Sequence, residues 1–106
     1  MMFFNFLNEP YIAIIGDIKN SKKIVDRGAI QEHLKKILDN INLKYSDCIA
    51  SKFTITLGDE FQGLLTTGNN IMEIIQYIKK EIYPVKIRFG IGIGSISTKI
   101  NSEISL

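Results

Sequence analysis

Thr54-Ile55-Thr56-Leu57-Gly58-Asp59-Glu60-Phe61-Gln62-Gly63-Leu64-Leu65 is the stretch that decides the fold. Two short alternating runs flank Gly58-Asp59, and Gly tolerates the positive φ that a tight primed turn needs. The spacing predicts a β-hairpin with Asp59 and Glu60 at or beside its tip. Adjacent carboxylates there add nothing to packing. Taken alone, they read as turn chemistry and solvated charge.

Outward from the hairpin, Tyr11-Ile12-Ala13-Ile14-Ile15-Gly16-Asp17-Ile18 is a short apolar run closed by Gly16-Asp17. It reads as a strand buried on both sides, with Asp17 where the strand leaves the sheet. A basic loop follows, Lys19-Asn20-Ser21-Lys22-Lys23. Asp26 is placed to cap a helix whose apolar face is Ile30, Leu34, Ile37, Leu38 and Ile41, running through about Leu43. In the first hairpin strand Phe53, Ile55 and Leu57 alternate with Lys52, Thr54 and Thr56, giving one buried face. After the hairpin, Asn70 with Glu73 resembles a capping box. Ile71, Ile74, Ile75, Ile78 and Ile82 then line a second helix that Pro84 stops. Val85 to Gly94 alternates Val85, Ile87, Phe89, Ile91 and Ile93 with Lys86, Arg88, Gly90, Gly92 and Gly94. Its glycine face is bare, as happens where a backbone or ligand approaches, or where the strand twists.

The order β-α-β-β-α-β is the split βαβ of a ferredoxin-like fold, an α+β class with both helices on one face of a four-stranded antiparallel sheet. Right-handed crossovers set the spatial order four, one, three, two. Asp17, the hairpin tip, the start of the last strand and the first helix's N-terminus then share one edge, and Asp17 and Asp59 become neighbours.

The chain has 106 residues, enough for one domain with a modest core. A formal net charge of +2 is too small to argue for nucleic acid or an anionic membrane. The single cysteine, Cys48, excludes an intrachain disulfide and reads as a half-buried small apolar residue. The apolar start, Met1 to Leu7, lacks a basic region and a cleavage site, and no run spans a bilayer. A cytoplasmic protein is expected, with no membrane partner.

Carboxylates converging at one edge repel unless a cation lies between them. Asp17, Asp59, Glu60 and the Ile18 carbonyl form an oxygen-only set suited to Mg²⁺ or Mn²⁺. Phosphate partners at the same edge are the helix-start N–H groups and Lys22, Lys23, Lys86 and Arg88. Together these point to a metal–nucleotide site.

Leu57-Gly58-Asp59-Glu60-Phe61, with Asp17-Ile18 ending the first strand, resembles the catalytic palm of class III nucleotide cyclases and diguanylate cyclases. It differs from their G-G-D-E-F signature at its first position. The run from Asp17-Ile18 through Lys22, Ile24 and Asp26 is similar to the loop by which diguanylate cyclases cradle triphosphate. A narrower match is Gly16-Asp17-Ile18, Ser21, Asp26-Arg27 and Leu57 to Gly63, which resembles the SatD family of small bacterial proteins of unassigned biochemical role, from about Tyr11 to Leu106. The resemblance implies metal binding at Asp17, Ile18 and Asp59, with Glu60 beside them. The candidate phosphate or nucleotide contacts are then Asn20, Ser21, Lys22, Lys23, Arg27 and Gly58, with Lys86 and Arg88 from the same edge. Where diguanylate cyclases read guanine with Asn, this chain has Val25, so guanine specificity does not carry over. The catalytic residues remain unknown. Family members are longer, with a segment resembling a helix-turn-helix, so the chain is expected to be the N-terminal part of a longer protein that meets nucleic acid only through that segment.

Three functions fit. The first is a nucleotide-binding sensor or regulatory module. The second is an active nucleotidyl cyclase or transferase. The third is a scaffold that forms a homodimer through its open sheet face.

Overall fold

The computed structural model describes residues 11–20 and 25–94. Six elements build the layers. They are β1 (Tyr11–Ile18), α1 (Arg27–Lys44), β2 (Ile49–Ile55), β3 (Glu60–Leu65), α2 (Ile71–Ile82) and β4 (Ile87–Gly94), with one 3₁₀ turn at Ser46–Cys48 before β2. The sheet runs β2-β3-β1-β4 and all its pairings are antiparallel. This is the expected ferredoxin-like α+β arrangement, with both helices on one face.

The apolar spacing of each helix places Leu34, Ile37, Leu38 and Ile41 of α1, and Ile74, Ile75, Ile78 and Ile82 of α2, in the core. Ile30 and Ile71 are half-buried at its margin. The sheet contributes Ile14, Ile18, Phe53, Phe61, Leu65 and Ile87. Two glycines in this layer are forced by aromatic rings. A Cβ on Gly16 would lie 2.1 Å from the Phe61 ring, and one on Gly63 would lie 2.5 Å from the Phe53 ring. Phe61 in turn meets Phe89 edge-on at 6.2 Å. Rings from two strands therefore fill the space under the helices that glycine leaves open, and Phe89 packs against one of them.

Several local expectations are corrected. β1 is not buried on both sides: Ile14 and Ile18 face the helices, whereas Ala13, Ile15 and Asp17 on the other face are half-exposed. Leu57 does not continue the buried face of β2. It sits in the hairpin loop and is 72% exposed. Ile91 and Ile93 share the helix-facing side of β4 but run past the helices, at 51% and 73% exposure. On the bare face of β4, a Cβ on Gly90 or Gly92 would meet no atom of the described residues within 4 Å, so no described backbone packs there. Asn70 and Glu73 do not form a capping box. The Asn70 amide donates to Cys48 Sγ at 3.5 Å, and Glu73 accepts from the Tyr45 hydroxyl. Asp26 does cap α1, accepting from the Ala29 N–H at 3.0 Å.

The two outer strands are finished differently. β2 is interrupted by register shifts between Ile49 and Ser51 and between Ser51 and Thr54. The Asn42 side chain of α1 bonds both backbone groups of Phe53: the Phe53 N–H donates to Asn42 Oδ1 (2.8 Å) and the Phe53 carbonyl accepts from Nδ2 (3.0 Å). β4 pairs with β1 without interruption from Gly94 back to Ile87.

Candidate functional site

The end of β1 is built by alternation. Gly16 and Ile18 point to the helices, so Asp17 projects on the opposite face. Its cross-strand partners are Glu60 on β3 and Arg88 on β4. Like charges directly opposite destabilise a sheet. Arg88 offsets this, its Nη2 lying 3.1 Å from Asp17 Oδ2. The arginine side chain is 66% exposed and the aspartate 36%, so the pair contributes only about 0–1 kcal/mol. Arg88 thus places a positive charge directly beside the Asp17 carboxylate.

The hairpin tip reaches the same edge. Thr56 N–H donates to the Glu60 carbonyl at 2.8 Å and closes the hairpin. Gly58 has φ +74°, and the Asp59 N–H folds back to the Leu57 carbonyl at 2.7 Å, the pattern of a γ-turn. The Asp59 carbonyl accepts from the Ile18 N–H at 2.9 Å, which places Asp59 beside the end of β1. A full antiparallel pair would return a second bond, from the Asp59 N–H to the Ile18 carbonyl. The γ-turn takes that donor for Leu57, so among the described residues the Ile18 carbonyl has no ladder partner.

The cationic side of the edge is less concentrated than expected. The Lys19 N–H donates to the Lys86 carbonyl at 2.8 Å, so both lysines stand where β1 exits and β4 enters. Asn20 occupies the left-handed region with φ +55° and is exposed. Arg27 opens α1 and is exposed. Gly58 faces Gln31, whose Nε2 would lie 3.3 Å from an added Cβ, which puts the first turns of α1 against the hairpin tip. Asp26 already neutralises one helix-start donor with a carboxylate, leaving fewer donors for a phosphate. Ser21, Lys22 and Lys23 lie outside the described residues.

Among the described residues no cluster of three or more His, Cys, Asp or Glu side chains is arranged to hold a metal. Glu60 and Asp59 therefore do not complete an all-protein cage with Asp17. The remaining donor set, two carboxylates and one carbonyl, still fits a hard cation that keeps waters and takes further oxygens from a phosphate.

The sequence profile of the SatD family matches residues 11–106. The chain belongs to the SatD family. No curated protein matches it. The structure of this SatD-family protein is similar to the crystal structure of a dimeric protein of unknown function and ferredoxin-like fold from Bacteroides fragilis NCTC 9343. The TM-score is 0.56 at 8% identity, covering 83% of this chain and 97% of the other. At that identity the likeness extends to the fold alone. No described helix is long and apolar enough to cross a membrane.

Sequence reasoning missed the polar contacts between distant residues, among them the Asp17–Arg88 pair, the Asn42 clamp on Phe53 and the Tyr45–Glu73 bond. The strand order foretells that β1 and β4 are neighbours, but neither the Asp17–Arg88 register nor the side-chain pairing.

Proposed function

We propose that the edge formed by the end of β1 and the β2–β3 hairpin tip binds a divalent cation together with the phosphates of a nucleotide. The domain then acts as a nucleotide-responsive module. The observation that carries this reading is the γ-turn at Gly58, which diverts the Asp59 N–H from the carbonyl of Ile18, the residue after Asp17. A backbone oxygen and two carboxylates from separate elements suit Mg²⁺ or Mn²⁺, with a phosphate completing the shell. Lys19, Lys86 and Arg88 supply positive charge around it. The exposed apolar residues Val25 and Leu57 offer surface for a nucleobase without hydrogen-bond selectivity. A sensor role is preferred to cyclase chemistry because Val25 replaces the residue that reads the base in the cyclases this chain resembles.

The test is calorimetric titration of ATP and of GTP into the protein with Mn²⁺, and again with chelator, followed by product analysis. Metal-dependent binding without turnover supports the sensor. Turnover transfers the assignment to a nucleotidyl cyclase or transferase. Failure of either nucleotide to bind with Mn²⁺ rejects the site.

Self-association is a second reading, favoured by the bare glycine face of β4 and by the dimeric state of the structural relative.

A further inference from the structure

Among the described residues the sheet has two outer strands, of which only β2 is protected. Its ladder is broken by two register shifts, and Lys52 stands exposed at its middle. Phe53 lies at a position whose backbone groups point away from β3, because the Thr56–Glu60 bond fixes the alternation. Those outward groups are the ones the Asn42 amide engages. Interruption, a charged residue and a plugged backbone are the usual means of keeping a sheet edge from pairing.

Among the described residues β4 has none of these past Arg88. Phe89-Gly90-Ile91-Gly92-Ile93-Gly94 carries no charge and no proline. The Lys19 N–H to Lys86 carbonyl bond fixes its alternation too, so the backbones of Phe89, Ile91 and Ile93 point away from β1. Among the described residues no strand pairs with them. The same three residues carry the apolar side chains on the helix-facing side, and Ile91 and Ile93 are largely in solvent.

We infer that the edge of β4 left unpaired among the described residues pairs antiparallel with β4 of a second copy of this chain, about a two-fold axis at Ile91. This sharpens the self-association reading and rests on it, while standing independently of the nucleotide reading. The register is self-complementary. Ile91 faces Ile91, and Phe89 faces Ile93 on both sides of the axis, so about six backbone bonds form from groups that already point outward. All three pairs put apolar side chains on one face, where cross-strand apolar contacts add stability. Glycine meets glycine on the other face. Charge is compatible as well: Arg88 falls opposite Gly94, and the two Arg88 side chains stay roughly 20 Å apart at the ordinary strand rise. Two four-stranded sheets thereby become one continuous sheet, the arrangement known as β-augmentation.

The experiment is sedimentation velocity of the 106-residue chain over a concentration series, with Ile91→Lys, Ile91→Thr and Ser51→Lys beside the parent. Circular dichroism checks that each variant is folded. The expected result is a concentration-dependent dimer that Ser51→Lys leaves intact. Ile91→Lys should weaken it at least tenfold, and Ile91→Thr should weaken it less. In a Cys48→Ser background, Ile91→Cys should cross-link two copies through one disulfide under mild oxidation, whereas Ala13→Cys on the open sheet face should not. A chain that stays monomeric throughout overturns both the inference and the self-association reading. A dimer that survives Ile91→Lys, or that cross-links at position 13 and not at 91, overturns the edge pairing and leaves self-association standing through the sheet face.

Discussion

Tyr45 shows how much one buried hydroxyl governs. It is 7% exposed, its hydroxyl donates to Glu73, and Lys44 Nζ lies 5.4 Å from its ring centroid. Burial first, then the bond to and the charge of Glu73, push its pKa up to about 12 from 10.0. The folded state therefore holds a proton that the unfolded chain releases from pH 10 upward. That contribution to stability is complete below pH 10 and is lost as the pH rises toward 12. Tyr45→Phe should lower stability near neutrality by about 0.5–1.5 kcal/mol, the worth of a typical hydrogen bond. It should also flatten the decline between pH 10 and 12. Urea melts of parent and variant across that range check both, and an equally steep alkaline decline in the variant contradicts the assignment. Gly16 is a second case at this scale. Its run reads as strand from the apolar pattern alone, but the reason for glycine appears only when Phe61 arrives from another strand.

Among the elements, the two helices start differently. α1 has a side-chain cap from Asp26 and α2 has none from Asn70. Asp26→Ala should cost about 1 kcal/mol, within the usual range for losing a cap. Asn70→Ala should cost clearly less, since it gives up only a long contact to the Cys48 sulfur. Comparing chemical-denaturation midpoints of the two variants decides this, and equal losses would mean that Asn70 acts as a cap in solution. The helices, hairpin and strand order are legible in the sequence because periodicity and turn chemistry agree. Leu34, Ile37, Leu38 and Ile41 repeat at helical intervals, and Gly58 supplies a positive φ at the turn. The capping box misleads because Cys48 and Tyr45, distant in sequence, claim the side chains of Asn70 and Glu73. Leu57 misleads because alternation does not say where a strand gives way to its loop. Within the candidate site, topology foretells that Asp17 and Asp59 share an edge. It does not foretell Arg88 as the counter-ion, which depends on a side-chain rotamer.

For the molecule as a whole, the proposed ligand edge predicts a linkage between metal and stability. Mn²⁺ with nucleotide should raise the melting temperature of the parent, and Asp17→Asn should abolish most of that rise, by ordinary mass action. Without metal, Asp17→Asn loses a weak surface ion pair and gains relief from Glu60, so its melting temperature should stay close to the parent's. Thermal melts across a Mn²⁺ titration measure both. A parent unmoved by Mn²⁺ and nucleotide together rejects the metal assignment. The strand order β2-β3-β1-β4 has another consequence, in the time domain. Of the four described strands β1 is made first, yet both its neighbours, β3 and β4, come later in the chain. During synthesis α1 and the β2–β3 hairpin have local partners, while the apolar run from Tyr11 to Ile18 gains its second neighbour only after Gly94 has emerged. Until then the nascent chain carries its stickiest segment half-covered, the interval in which such chains are most exposed to misassociation.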